Sequence, residues 1–324
     1  MRLLAQSTDA YKILSAERNG LRHAYLLHYA DPTALRRMLR EFAPLFFPNA
    51  PARLHALVKE EKHADCIFYP EEGKKFSVED AERLAEEATL QPVEGEKKLF
   101  VIADISTATP QAQNKLLKLL EEPPQGVHFL LGATTLFSVL NTVLSRVTKL
   151  EIPPFPEQAV TAYLQRKYPL MSSPEGYASA SGGVVGVAEE LVDGGFYSEL
   201  LYEAFALALA DESKIPSLVK KTGETKHKKE LLSVLRMIFK DALLIKLEKA
   251  GKLEKNFPLR QSLSLPAEYD RTENVSGKYS AAALLYAQEE FSVAEKDLRF
   301  NGVFAQRLEL CFSAIAAKNV GSRG

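Results

Sequence analysis

Short apolar runs alternate with helix-length amphipathic segments through the first half of the chain. Near-continuous apolar runs are typical of parallel strands buried on both faces. Strands are predicted at residues 24–28, 65–69, 99–103, 129–133 and 147–152. Helices are predicted between them at residues 33–47, 77–90, 109–121 and 136–145. Strands that alternate with helices in this way predict an α/β domain built on a parallel sheet.

The second half of the chain has a helical pattern. Pro153, Pro154 and Pro156 predict a linker, and two short helices at 157–166 and 184–191 flank a glycine turn at Gly182 and Gly183. Apolar residues then recur at helical spacing, namely Leu231, Leu235, Ile238, Ala242 and Ile245. Further helices are predicted at 280–290 and 297–317, with a loop at 256–275. The predicted domains are an α/β domain at 1–153, a small helical lid at 154–195 and an all-α collar at 196–324.

Composition excludes several classes of protein. The 324 residues carry 41 basic and 42 acidic side chains, a net charge of −1, which argues against autonomous binding to nucleic acid or anionic membrane. Cys66 and Cys311 are too few for a disulfide framework and fit a reducing compartment. No apolar run reaches the length of about 18 residues that a membrane span needs, so we expect a cytoplasmic protein. The lysine-rich run at 214–229 is typical of a solvated surface.

The usual signs of a nucleotide site are missing after the first and third predicted strands. A phosphate-binding loop needs closely spaced glycines and a lysine, but no glycine lies between Gly20 and Gly73. Asp31 would instead bring negative charge to the position of a phosphate. The third strand ends in Ala103 and Asp104, so one carboxylate remains where ATPases use two. We interpret Asp104 as a loop or cap residue.

The sequence predicts no metal site. His55, His63, Asp65 and Cys66 lie within twelve residues, but zinc sites normally show tighter pairs such as CxxC. Cys66, inside an apolar run, is predicted to be a small buried hydrophobic residue.

Residues 98–152 resemble the clamp-loader branch of the AAA+ ATPases. The run from Gln113 to Lys118, reading QNKLLK, and the LEEPP that begins at Leu120 match the family's AxNxLLKxLEEPP helix. Thr142, Ser145 and Arg146 match its TxxSRC motif, with Val147 in place of the cysteine. Weaker similarities begin at His23, His63, Phe76, Ser181 and Asn301, the last continuing to Leu310.

The resemblance implies an AAA+ sheet domain with a degenerate pocket, a helical lid and a helical collar. Because the phosphate-binding loop is missing, it implies a delta-prime-like stator of the bacterial DNA polymerase III clamp loader, which does not hydrolyse ATP itself. The implied partners are the gamma and tau motor subunits, the delta subunit and, within the complex, the sliding clamp and primed DNA. Many relatives carry a four-cysteine zinc module, but residues 46–64 contain no cysteine. No cofactor is implied.

The resemblance also assigns residues. Arg146 is implied to be an arginine finger that reaches ATP bound by a neighbouring subunit, and Ser145 is implied to position it. The alternative for Arg146 is a surface salt bridge. Lys115 and Lys118 are candidates for contacting DNA phosphates, with a solvated helix face as the alternative.

The sequence leaves three alternative functions. An ATP-hydrolysing AAA+ subunit with a divergent pocket is disfavoured by the missing glycines and the single carboxylate. The clamp-opening delta subunit is disfavoured because it lacks a comparable run from LEEPP to SRC. The third alternative is a scaffold unrelated to replication.

Overall fold

The computed structural model describes residues 1–17, 20–171, 173–297 and 303–320. The chain divides into two compact units, Met1–Phe155 and Pro156–Gly324. The finer division of the second unit into a lid at 154–195 and a collar at 196–324 stays a prediction.

The first unit is built on a five-stranded parallel sheet. Its strands lie in the order β2-β3-β4-β1-β5. The bounds are Ala24–Tyr29 for β1, Cys66–Tyr69 for β2, Lys98–Ile102 for β3, Val127–Ala133 for β4 and Thr148–Ile152 for β5. All five predicted strands are confirmed, with ends that differ by at most two residues.

Burial along the strands follows their place in the sheet. All residues of β3 are buried, and so are nearly all those of β1 and β4, as expected of central strands covered on both faces. In the edge strand β5 burial alternates, with Leu150 and Ile152 buried and Lys149 and Glu151 exposed. Continuous burial was therefore the wrong expectation for β5.

Seven helices of the described residues belong to the first unit. They are α1 Arg2–Ser7, α2 Asp9–Ala16, α3 Leu35–Phe42, α4 Ala52–Lys59, α5 Val78–Ala88, α6 Pro110–Glu121 and α7 Asn141–Leu144. Helices α1, α2 and α4 were not predicted from the sequence. It also made one helix of residues 33–47, where α3 gives way to a 3₁₀ turn at Ala43–Phe46, because Pro44 has no N–H for a helical hydrogen bond.

The predicted start of α5 is confirmed. Ser77 Oγ accepts a hydrogen bond from the backbone N–H of Asp80 at 3.1 Å, and the Asp80 carboxylate accepts one from the N–H of Ser77 at 3.0 Å. This reciprocal pair is a capping box with aspartate in the place usually taken by glutamate.

The second unit is helical throughout its described elements. They are α8 Glu157–Lys167, α9 Pro174–Ala180, α10 Val185–Asp193, α11 Tyr197–Leu209, α12 Ile215–Thr222, α13 Lys228–Lys249, α14 Leu259–Ser262, α15 Tyr269–Lys278, α16 Ala281–Asp297 and α17 Phe304–Val320. The apolar stripe predicted from Leu231 to Ile245 is fully buried along α13. None of the described helices is long and apolar enough to cross a membrane.

The prediction of a loop at 256–275 is wrong, because this range contains the short helix α14 and, from Tyr269, most of helix α15. Its buried positions include Thr272, Val275 and Ser276, so hydroxyl side chains take two of the three. This weakens the apolar pattern from which a helix is read. The predicted helix at 297–317 corresponds to the end of α16 and to α17; Asn301, quoted for the resemblance, lies outside the described residues.

Candidate functional site

Helix α6 carries most of the motif that resembles the clamp loaders, and its local sequence explains its bounds. Thr109 Oγ1 caps the first turn by accepting from the N–H of Ala112, and Pro110 occupies the first helical position, where no N–H is needed. The helix ends at Glu121, two residues before Pro123. Its buried residues are Ala112, Gln113, Leu116 and Leu120. Gln113 is therefore a polar residue on the core-facing side.

The buried side chain of Gln113 holds the segment that leads into α7. Its amide nitrogen donates to the carbonyl oxygens of Ala108 at 3.2 Å and Ser138 at 2.9 Å, and its amide oxygen accepts from the N–H of Leu140 at 2.8 Å. These bonds occupy backbone groups that a helix would need. The helix predicted at 136–145 is accordingly reduced to the single turn Asn141–Leu144.

Arg146 lies just beyond this turn, at the corner where α7 meets β5. Its side chain is 30% exposed. Nη1 donates to the carbonyl oxygen of Thr142 at 2.8 Å and to Ser145 Oγ at 3.1 Å. Nε donates to Glu121 Oε1 at 2.9 Å, and Nη2 forms a second, shorter bond to the same oxygen. The salt bridge that was the alternative for Arg146 is thus present within this chain.

Ser145 is the C-cap residue of α7 and is exposed. Its hydroxyl donates to the carbonyl oxygen of Thr142 at 3.1 Å while accepting from Arg146 Nη1. The structure brings the two residues assigned by the resemblance into direct contact. Glu121, their third neighbour, was missed because nothing in the sequence marks a contact across 25 positions.

Asp104 follows β3 and is a cap residue, as predicted. Oδ1 accepts from the N–H of Ser106 at 3.0 Å and from its hydroxyl at 2.5 Å. Oδ2 accepts from Thr134 Oγ1 at 2.9 Å, which ties the end of β3 to the end of β4. The carboxylate is occupied by these structural contacts.

The turn after β1 presents a second carboxylate. Asp31 is 1% exposed, and its Oδ1 accepts from the N–H of Ala34, the residue just before α3, at 3.0 Å. One turn further, Arg36 and Arg40 both bind Glu61. Burial alone would raise the pKa of Glu61, but the hydrogen bonds from the two arginines outweigh it and lower the pKa.

A cavity of about 210 Å³ lies over the ends of β1, β2 and β3, with Thr33, Arg36, Lys74 and Asp104 in its lining. It is smaller than the roughly 300–1,000 Å³ typical of ligand pockets. Arg36, the strongest phosphate-binding candidate in it, is already bound to Glu61 and to the carbonyl oxygen of Pro70 at 2.8 Å.

The predicted DNA-contact residues lie on the exposed side of α6. Lys115 Nζ is 2.7 Å from Glu82 Oε1, and Lys118 is exposed. In the lysine-rich run, Lys220 and Lys221 are exposed in the last turn of α12, and Lys214 lies 3.8 Å from Asp211. These lysines lie on a solvated surface, as predicted, while Ile215, Val219 and Thr222 of the same run are buried.

The histidine, aspartate and cysteine residues between positions 55 and 66 make contacts that are structural. Asp65 is fully buried, and its carboxylate accepts from the N–H groups of Val93 and Glu94 at 2.6 and 2.7 Å. His63 Nδ1 accepts from the N–H of Asp65 at 3.0 Å. Cys66 is buried, as predicted, and burial raises the pKa of its thiol.

The first unit is an α/β unit built on a five-stranded parallel sheet and the second is helical, as the resemblance to the clamp loaders implied. Residues 8–156 match the family model described as DNA polymerase III, delta subunit. Over these residues, a little under half of the chain, the sequence is similar to subunits of DNA polymerase III.

Individual subunits of DNA polymerase III are similar to this chain over part of their length. The DNA polymerase III subunit delta' of Bacillus subtilis (strain 168) is 28% identical over 153 residues, which is 45% of this chain and 46% of the relative. The DNA polymerase III subunit gamma of Buchnera aphidicola subsp. Baizongia pistaciae is 30% identical over 88 residues, which is 27% of this chain and 24% of the relative. The chain thus spans between about a quarter and a half of the length of these relatives.

Among solved structures, a DNA polymerase III gamma subunit-related protein from Thermotoga maritima is similar with a TM-score of 0.42 and 16% identity. The match covers 96% of this chain and 100% of that one.

Proposed function

We propose that this chain is a non-hydrolysing, delta-prime-like subunit of the DNA polymerase III clamp loader. In this proposal it supplies Arg146 to ATP bound by a neighbouring motor subunit, gamma or tau, during loading of the sliding clamp on primed DNA. The observation that carries it is the placement of Arg146: a partly exposed guanidinium at a surface corner, held by Thr142 and Ser145 at its base.

The chemistry of arginine suits this task. A guanidinium is always charged and presents paired N–H groups that match phosphate oxygens. An arginine supplied in trans is worth about 10³–10⁵ in rate at the site it serves, or roughly 4–7 kcal/mol of barrier. In this proposal Ser145 positions the arginine through its bond to Nη1.

Two carboxylates support the non-hydrolysing part of the proposal. Asp31 lies in the turn between β1 and α3, where a phosphate-binding loop would present N–H groups to an anion, and its carboxylate accepts the N–H of Ala34. Asp104 is bound to Ser106 and Thr134, and Ala103 stands beside it where ATPases carry a second acid. Neither position offers what binding and hydrolysis of ATP need.

The wider setting is part of the same proposal. The partners are the motor subunits and the delta subunit, and the site of action is the cytoplasm. Lys118 is free of ion pairs among the described residues and is the better candidate for a DNA phosphate, because Lys115 already pairs with Glu82.

The test is ATP turnover by the reconstituted loader, with clamp and primed DNA present. With Arg146→Ala we expect turnover to fall at the site that faces this chain, while size-exclusion chromatography still shows an assembled complex. Arg146→Lys keeps the positive charge but loses the paired N–H groups of the guanidinium, so turnover with this variant should stay close to that of Arg146→Ala. Arg53→Ala, which removes an exposed arginine of the same unit, is the matched control. Unchanged turnover with Arg146→Ala would refute the proposal.

A further inference from the structure

The guanidinium of Arg146 has little hydrogen-bonding capacity left in the subunit as it stands. Nη1 donates to Thr142 and Ser145, while Nε and Nη2 both bind Glu121. Each of its three nitrogens therefore has a partner within the chain. A phosphate gripped by two parallel N–H groups needs a free edge of the fork.

A phosphate could bind the edge formed by Nη1 and Nη2 or the edge formed by Nε and Nη2. The two edges differ in how strongly their present partners hold them. Nη1 is held by a backbone carbonyl and a neighbouring hydroxyl, which belong to the same short turn as Arg146 itself. The edge formed by Nε and Nη2 is held only by Glu121, whose side chain is 50% exposed. Exposed ion pairs are weak because water screens them. This edge is the one that a phosphate can take.

We propose that Glu121 is a positioning residue that acts as a latch on Arg146. In the free subunit the carboxylate of Glu121 holds the guanidinium against the end of α6 and neutralises it. A phosphate chain presented by a partner replaces the carboxylate on the Nε and Nη2 edge. The inference rests on the proposed function for the identity of that phosphate, but the latch itself is a property of this chain.

The sign of the effect follows from charge. Glu121 competes with the phosphate for the same N–H groups, and its negative charge also repels a phosphate that has already bound. Both effects weaken binding, so neutralising Glu121 should strengthen it. From the usual worth of exposed ion pairs we expect a gain of about 2- to 5-fold in affinity.

The chain offers a matched control in the next residue. Glu122 is also exposed and carries the same charge, and it takes part in no ion pair within the described part of the chain. Glu121→Gln and Glu122→Gln therefore change the net charge equally. Only the first removes a carboxylate from Arg146.

The experiment follows the side-chain Nε–H signal of Arg146 by NMR in the ¹⁵N-labelled full chain, assigned through its loss in Arg146→Lys. Sodium tripolyphosphate is titrated at constant ionic strength. The half-saturation concentration should be about 2- to 5-fold lower for Glu121→Gln than for the unchanged chain, with Glu122→Gln close to the unchanged chain. Glu121→Ala should behave like Glu121→Gln, and circular dichroism checks that each variant is folded.

The latch is refuted if Glu121→Gln binds tripolyphosphate no more tightly than Glu122→Gln, or more weakly. Weaker binding would mean that Glu121 orients Arg146 for phosphate instead of competing with it. The outcome is separable from that of the proposed function, which depends on turnover by the loader with Arg146→Ala. If the titration confirms the latch but Arg146→Ala leaves turnover unchanged, Arg146 binds phosphate. It is then not an arginine finger.

Discussion

The amide oxygen of Gln113 accepts a hydrogen bond from the backbone N–H of Leu140 at 2.8 Å. Its amide nitrogen donates to the carbonyl oxygen of Ser138 at 2.9 Å. The first half of α6 therefore fixes the chain on its way into α7, and the last residue of α6, Glu121, binds the arginine that follows α7. One helix holds the candidate site from both sides.

Replacing Gln113 with leucine should lower the free energy of unfolding by about 2–4 kcal/mol. The new side chain fills the space but leaves the N–H of Leu140 and the carbonyl oxygen of Ser138 without their partner. Urea unfolding measures the change. Asn114→Leu alters the exposed neighbour and should change the free energy of unfolding little. If both variants lose the same amount of stability, the hydrogen bonds of the Gln113 amide do not stabilise the fold.

Removing the cap of α5 should be less costly. Ser77→Ala deletes the acceptor for the N–H of Asp80 and should lower the free energy of unfolding by about 1 kcal/mol. Ser77→Asp supplies another acceptor and should recover most of the loss. Failure of this rescue in urea unfolding would indicate that the effect of Ser77→Ala is not one of capping.

Asp241 makes the stability of the second unit depend on pH. Burial raises its pKa to about 6, against the opposing effect of hydrogen bonds from the N–H groups of Ser264 and Leu265. The folded chain therefore holds this proton more tightly than the unfolded chain does. Its contribution to stability is greatest below the ordinary value of 3.8 and is lost as the pH rises through about 6.

The comparison with Asp241→Asn isolates this contribution, because asparagine does not titrate. The free energy of unfolding of the unchanged chain, relative to that of the variant, should fall by at most about 3 kcal/mol between pH 4 and pH 6. It should then be constant above pH 7. Urea unfolding at several pH values gives the curve, and a difference that rises with pH would contradict the assignment.

Binding of nucleotide to the isolated chain should be weak. Asp31 lies where the phosphates would go, and Arg36 is bound to Glu61. A fluorescent ATP analogue with Mg²⁺ should therefore show no saturable binding at micromolar concentrations. Micromolar, magnesium-dependent affinity would instead favour an ATP-hydrolysing subunit with a divergent pocket.

The sequence predicted the sheet well because its signals are local. Apolar runs marked all five strands, and Ser77 and Asp80, three residues apart, form the cap at the start of α5. Pro153, Pro154 and Pro156 predicted the linker at the entry to the second unit, which begins at Pro156. In each case the residues that determine the structure are neighbours along the chain.

The candidate site was predicted only in part, since its contacts join distant positions. Ser145 and Arg146 were assigned by resemblance, and the structure brings them together. The contact of Arg146 with Glu121 spans 25 residues, and no local pattern announces it. The role of Gln113 could have been predicted, because it is a polar residue at a core-facing position of an amphipathic helix.

The alternating burial of β5 affects how readily the isolated chain aggregates. β5 pairs with β1 and is the last strand in the order, so it is an edge strand of the sheet among the described residues. Open edges invite strands of other molecules to add to the sheet and begin aggregation. Lys149 and Glu151 put charge on this edge strand, which makes such addition costly. The two charged residues that alternate with the buried ones therefore oppose unwanted strand pairing between copies of this chain.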